Sequence, residues 1–207
     1  QRASKKQFEE LIRFGKNNKI LIVNDNPYSF ILNENYLSIL SIKGAFETAL
    51  ELNSLSKSHN MAGWRIGMLA GREDYINNVQ KIQSNLTSGM FLPVQKAAEK
   101  ALYISNEWYI SLNKIYAERQ QKVKQILNIL KCKYREDQTG MFIWARIPNS
   151  YSDSYALSDY LLNNFGVFIT PGGIFGSEGN KFIRISLCNK IEIFQSISER
   201  LRKRNSN

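Results

Sequence analysis

The side chains best suited to chemistry follow the ends of two short segments. They supply an acid, a phenol, two hydroxyls and an amine: Asp25, Tyr28, Ser54, Ser56 and Lys57. In open α/β sheets, ligands bind outside the carboxyl ends of parallel strands, so two such strands would bring these groups to one crevice. Each residue alone has an ordinary explanation, because an Asp near Pro is usually a turn former and a loop Lys is usually solvated. Their joint placement favours a functional site.

The two segments are predicted to be strands. Ile20–Val23 is a short continuous apolar run, as expected of a parallel strand that is buried on both faces. Thr48–Asn53 precedes the serines and the lysine, and a third strand is predicted at Ile66–Ala70. Arg65 lies eight residues beyond Lys57 and immediately before the third strand, so it joins the same region of the chain.

The rest of the chain predicts helices and a second group of strands. Helical patterns cover roughly Glu73–Gln83, Pro93–Tyr103, Ser105–Lys131, Ser152–Asn164 and Ile191–Arg202, and strands are predicted at Met141–Ile147, Val167–Thr170 and Phe182–Leu187. Apolar residues in the longest of these stretches recur at helical spacing. The pattern predicts an α/β domain in residues 1–104. It is followed in residues 105–207 by a linking helix and a smaller α+β domain.

Composition excludes several classes of protein. The 43% of hydrophobic and 22% of charged residues are typical of a globular chain, and no apolar run approaches the length of a membrane span. Cys132 and Cys188 form neither a metal-binding spacing nor a disulfide framework, which favours a reduced, cytosolic setting. The single histidine, His59, rules out a multi-histidine metal site within this chain, and we predict no metal.

The basic charge has no motif to accompany it. A net charge of +10 would suit a polyanionic partner. The basic residues are scattered, however, apart from a cluster at residues 200–204, and no recognised nucleic-acid-binding motif is present. We expect neither a nucleic acid nor a membrane as a partner.

Three sequence elements resemble one enzyme family. Residues 54–67, SLSKSHNMAGWRIG, are similar to the lysine signature of class I aminotransferases, the aspartate-aminotransferase-like enzymes of PLP (pyridoxal 5'-phosphate) fold type one. In that signature a serine precedes the lysine by three positions, and Gly-x-Arg-x-Gly follows. Residues 24–28, NDNPY, resemble the family's upstream Asp-x-x-Tyr element, and residues 182–186, FIRIS, extend the resemblance to nearly the whole chain. Three elements in this order make a specific match.

The resemblance implies roles around the cofactor. Lys57 would be the lysine that holds PLP and, once released by a substrate amine, would act as a base. Asp25 would lie beside the ring nitrogen and keep it protonated, because an opposite charge raises the pKa of the pyridinium. Tyr28 would hydrogen-bond the phenolic oxygen of the cofactor.

Further residues would bind phosphate and substrate by the same resemblance. Ser54, Ser56 and Arg65 would hold the cofactor phosphate, Arg65 through its planar fork of donors. Arg184 lies in an alternating strand, where an arginine on a polar face is usually solvated. The resemblance instead assigns Arg184 to the α-carboxylate of the substrate. Residues 171–176, PGGIFG, resemble the family's small-domain loop near the substrate.

The resemblance also implies an activity. It predicts a homodimeric aminotransferase that moves an amino group from an amino acid to a 2-oxo acid, with residues 85–91 near the neighbouring subunit. Alternatives are a lyase or decarboxylase that uses the same cofactor, since fold does not fix reaction, or a catalytically silent fragment. We expect the chain to be the C-terminal part of the enzyme and to be inactive alone, because the family's upstream motifs do not precede Gln1. We assign His59 no catalytic role.

Overall fold

The structure is a computed structural model that describes residues 2–205. The chain forms two compact units, Arg2–Tyr109 and the residues from Ile110 onward, referred to below as the first and second units. Each unit combines helices with one sheet, as the α/β prediction requires. Within the described residues, no helix has both the length and the apolar character needed to cross a membrane.

The first unit carries a mixed three-stranded sheet. Its elements are α1 (Lys5–Asn18), β1 (Ile22–Asp25), β2 (Ala49–Ser54), α2 (Leu55–Ser58), β3 (Gly67–Gly71), α3 (Glu73–Leu86), α4 (Leu92–Leu102) and the start of α5 (Asn106–Ile129). The strand order is β1-β2-β3, with β1 parallel to β2 and β2 antiparallel to β3. The sheet is therefore less parallel than the sequence predicted.

Local sequence explains how α1 begins and what it packs on. The side chain of Ser4 accepts a hydrogen bond from the backbone of Gln7 and the Gln7 side chain returns one, which forms a capping box. The buried residues of α1, Phe8 and Ile12, belong to a core cluster that includes Ala49 of β2. Helix packing thus covers the first sheet on the side where β2 buries its apolar residues.

The prediction that the first strand is buried on both faces was wrong. Burial in β1 alternates along the strand, and Val23 is 51% exposed. Ile20 lies before the strand and is also exposed. The continuous apolar run suggested two covered faces, but β1 is the edge strand of the described sheet and only one of its faces meets the core.

Close backbone approach explains a glycine at the start of β3. Gly67 pairs with Ser54 across the antiparallel ladder. A Cβ built on Gly67 would lie 2.5 Å from the carbonyl oxygen of Asn53, so a larger residue would push the strands apart. The second glycine of the Gly-x-Arg-x-Gly element therefore keeps β3 against the strand that leads to Lys57.

The second unit carries an antiparallel sheet. Its elements after α5 are β4 (Lys133–Tyr134), β5 (Phe142–Arg146), α6 (Ser154–Phe165), β6 (Thr170–Pro171), β7 (Phe182–Ser186) and α7 (Ile191–Asn205). The strand order is β4-β5-β7-β6. Of the strand predicted at Val167–Thr170, only Thr170 lies in β6. The strand does not begin at Val167, because the Val167 amide still donates to the Leu161 carbonyl at the end of α6.

A buried carboxylate connects the end of β1 to β2 and to the segment at residues 38–39. Glu51 of β2 is only 8% exposed. It accepts hydrogen bonds from Asn24 Nδ2 at 3.1 Å, Asn26 Nδ2 at 3.4 Å, Ser38 Oγ at 3.0 Å and the backbone N–H of Ile39 at 2.9 Å. Glu51 thus holds both residues that flank Asp25 against β2.

Loss of this carboxylate should destabilise the first unit. Glu51→Ala would leave four donors without their acceptor, and we predict a loss of about 3 kcal/mol in the free energy of unfolding. The measurement is urea unfolding followed by circular dichroism. Glu34→Ala, at an exposed position in the same connection, should change stability by less than about 0.5 kcal/mol. Equal effects of the two substitutions would contradict the role of Glu51.

Candidate active site

The strand–helix junction that carries Lys57 is built by Ser54. Ser54 ends β2 and caps α2, where its side chain accepts a hydrogen bond from the Ser56 backbone at 3.1 Å. The hydroxyl oxygens of Ser54 and Ser56 lie 2.9 Å apart and share a hydrogen bond. Lys57 follows within α2 and is partly buried. The two predicted phosphate-binding hydroxyls are therefore neighbours in space, although Ser54 lies three residues before the lysine and Ser56 one residue before it.

Parallel pairing brings Asp25 to the same edge of the sheet. Asp25 ends β1 and is the register partner of Leu52 in β2. The next amide, that of Asn26, donates to the Leu52 carbonyl at 2.8 Å. Because β1 and β2 run in the same direction, Asp25 and Ser54 both lie at the carboxyl end of the sheet, as the sequence predicted. Tyr28 follows in an exposed turn.

Arg65 occupies an unusual backbone conformation beside this edge. Its φ is +52°, in the left-handed region, directly after a 3₁₀ turn at Ala62–Trp64. Its guanidinium is exposed and donates to the Ala62 carbonyl at 3.1 Å. The next residue, Ile66, is buried, and its carbonyl accepts a hydrogen bond from the Ser54 hydroxyl at 3.3 Å. The strained position of Arg65 is thus connected to the serine that caps α2.

These donors fit the chemistry of PLP. A phosphate needs hydrogen-bond donors and positive charge, which the adjacent hydroxyls of Ser54 and Ser56 and the guanidinium of Arg65 can supply. An aldehyde needs a primary amine, and a pyridine nitrogen needs a carboxylate, for which Lys57 and Asp25 are suitable. In the described part of the chain, no group of three or more His, Cys, Asp or Glu side chains is placed to hold a metal ion.

A buried hydrogen-bond network next to Lys57 was not predicted from the sequence. His59, expected to be partly exposed, is only 8% exposed. Its Nδ1 lies 2.8 Å from Ser58 Oγ, and its Nε2 lies 3.0 Å from the Tyr109 hydroxyl. Trp108 Nε1 donates to the Ser58 carbonyl at 2.8 Å, and the Tyr109 ring stacks on Phe30. The aromatic partners come from the start of α5, far along the sequence, so no local pattern indicated them.

His59 should make the stability of the first unit depend on pH. Burial lowers the pKa of His59 below its ordinary value of 6.5, and a hydrogen bond with the backbone of Ala101 partly opposes this. The unfolded chain then takes up the proton first, so stability is fully present above about pH 6.5 and declines below it. We predict that His59→Gln flattens the fall in melting temperature between about pH 7.5 and 5.5. An unchanged fall would contradict this assignment.

Arg184 lies in an aromatic setting in the second unit. In β7 it pairs across strands with Trp144 and Thr170. Its guanidinium carbon lies 4.4 Å from the ring centroid of Phe142 and 4.4 Å from that of Phe175. The sequence placed Arg184 correctly opposite the buried face of β7, but it did not indicate these rings. They come from β5 and from the loop that precedes β7.

A sheet edge with a lysine, an acid and phosphate donors is typical of PLP-dependent enzymes, and comparison with known proteins agrees. Residues 1–194 match the family model for aminotransferase class I and II. An LL-diaminopimelate aminotransferase of Natranaerobius thermophilus is 38% identical over 187 residues, which cover 89% of this chain and 48% of that protein. Transaminase BacF of Bacillus subtilis is 36% identical over 194 residues, covering 93% of this chain and 49% of that protein.

A solved structure of apo-BacF from Bacillus subtilis has the same fold. It superposes with a TM-score of 0.89 at 34% identity, covering 98% of this chain and 52% of that chain. The chain belongs to the aminotransferase class I and II family, and the predicted α/β fold of PLP-dependent transferases is confirmed. It spans about half the length of the curated relatives that it matches.

Proposed function

We propose that the protein is a PLP-dependent aminotransferase that moves an amino group from an amino acid to a 2-oxo acid. The observation that carries this proposal is the common edge of β1 and β2, where Asp25 and the junction that bears Lys57 both end parallel strands. Family membership supports the same reaction class. When bound, PLP supplies an aldehyde and an electron-withdrawing ring.

Lys57 and Asp25 take the central roles. Lys57 Nζ holds the cofactor and, when free, accepts and returns the proton of the substrate α-carbon. Lys57 lies in α2, immediately beyond β2, so the position of its backbone is fixed at the end of the sheet. Asp25 keeps a proton on the ring nitrogen through its negative charge. The hydrogen bonds of Glu51 to the neighbours of Asp25 support this position.

The remaining residues bind and orient. Ser54, Ser56 and Arg65 bind the phosphate, and Tyr28 donates to the phenolic oxygen of the cofactor. Arg184 binds the α-carboxylate of the substrate, because a planar guanidinium can form two parallel hydrogen bonds with it. We further propose a homodimer, with residues 85–91 near the neighbouring subunit, in the cytoplasm.

The activity can be tested with a matched pair of lysine variants. The complete protein is incubated with PLP, a panel of amino acids and 2-oxoglutarate, and glutamate formation is measured. We predict turnover, and a loss of about 10²- to 10⁴-fold for Lys57→Ala, which removes the base. Lys43→Ala, at an exposed position, should retain the activity of the unaltered protein.

Other outcomes would contradict the proposal. Consumption of the amino acid without glutamate would indicate a lyase or decarboxylase, and no reaction with any amino acid would indicate a silent protein. For the 207-residue chain alone we predict no sustained turnover, because Val23 and other apolar residues of its first sheet lie exposed. Sustained turnover by this chain at ordinary enzyme rates would show that expectation to be wrong.

A further inference from the structure

The side of the second sheet that carries Arg184 is lined by aromatic rings. Trp144 stacks on Phe182 with ring centroids 5.5 Å apart, and it meets Phe175 edge-on at 5.9 Å. Arg184 lies across the strands from Trp144, and both Phe142 and Phe175 lie over its guanidinium. The opposite side of the same strands bears the buried residues Ile143 and Ile183.

The guanidinium has rings for neighbours but no anion. Within residues 2–205, no carboxylate pairs with Arg184, and its side chain donates no hydrogen bond to another residue. Contact with the two rings draws the cation towards their negative faces without using its N–H groups. The donors of Arg184 therefore stay available to an incoming carboxylate.

The loop that carries Phe175 is fixed by close packing. A Cβ on Gly172 would lie 2.5 Å from the Gly179 carbonyl oxygen, so the two backbone segments touch. The Gly173 amide donates to Ser154 Oγ at 3.2 Å. Phe175 ends the short 3₁₀ helix formed by these glycines. Its ring is thus held over Arg184 by backbone packing, although the side chain is half exposed.

We propose that Phe142 and Phe175 are positioning residues that hold the guanidinium of Arg184 in one orientation for the α-carboxylate of the substrate. This inference rests on the proposed function, in which Arg184 binds that carboxylate. An arginine free to rotate would lose side-chain entropy on binding. An arginine that two rings already hold has lost most of this entropy before the ligand binds. Its two parallel donors are therefore already oriented towards the carboxylate.

Two substrates distinguish binding of the α-carboxylate from the other steps of the reaction. L-glutamate and 4-aminobutanoate are both amines with a distal carboxylate, but only glutamate has an α-carboxylate. The complete holoenzyme is assayed with each one for KM and kcat, and 2-oxoglutarate binding is measured by calorimetry. We predict that Phe175→Leu raises KM for glutamate and Kd for 2-oxoglutarate by about 2- to 30-fold. The kcat for glutamate should change by less than about twofold.

Control variants define what the ring contributes. Phe175→Tyr keeps an aromatic face and should restore glutamate binding. Phe46→Leu makes the same change at a matched exposure, 50% against 51%, away from any arginine ring contact, and should have no effect. In an Arg184→Gln background, Phe175→Leu should add little, because no cation remains for the ring to hold.

The outcomes distinguish this inference from the function on which it rests. Suppose that Arg184→Gln raises KM for glutamate much more than KM for 4-aminobutanoate, while Phe175→Leu leaves both KM values unchanged. Arg184 then binds the α-carboxylate, but the positioning role of the rings is overturned. If Arg184→Gln affects the two substrates equally, the role of Arg184 itself fails and the inference fails with it. Effects of Arg184→Gln and Phe175→Leu that simply add would also overturn the positioning role.

Discussion

Parallel pairing of β1 with β2 is the constraint on which the candidate site depends. It sets Asp25 opposite Leu52, so the chain leaves both strands at the same edge and places an acid beside the junction that carries Lys57. The buried carboxylate of Glu51 secures this register by accepting hydrogen bonds from the residues on both sides of Asp25. A single buried acid accepts hydrogen bonds from four donors, and a fully paired buried network favours one specific arrangement.

Much of the fold could be predicted from sequence because its signals are local. Helical periodicity placed α3, α4 and α5 within a few residues of their bounds, and the alternation in Phe182–Leu187 placed β7. Strand environment was harder to predict. The apolar run at Ile20–Val23 has the same composition whether one face or two are covered, and what covers a face is decided by distant parts of the chain.

The candidate site, like the fold, could be predicted from the sequence only where its signals are local. The types and spacing of Asp25, Ser54 and Lys57 were visible in sequence, since each follows a strand end. The supporting contacts were not visible, because nothing in the local sequence marks Glu51 or His59 as a buried residue. Their partners lie up to 50 residues away, so only the folded chain brings them together. Supporting contacts of this kind set the precision with which reactive groups are held.

In the proposed function, Lys57 holds PLP at the edge formed by β1 and β2. The most direct measurement reduces the complete protein with borohydride in the presence of PLP, which fixes the cofactor to its lysine, and then maps the labelled peptide by mass spectrometry. We expect a single label, on the peptide that contains Lys57. A label on another lysine, or labels spread over many lysines in proportion to their exposure, would contradict the assignment of Lys57.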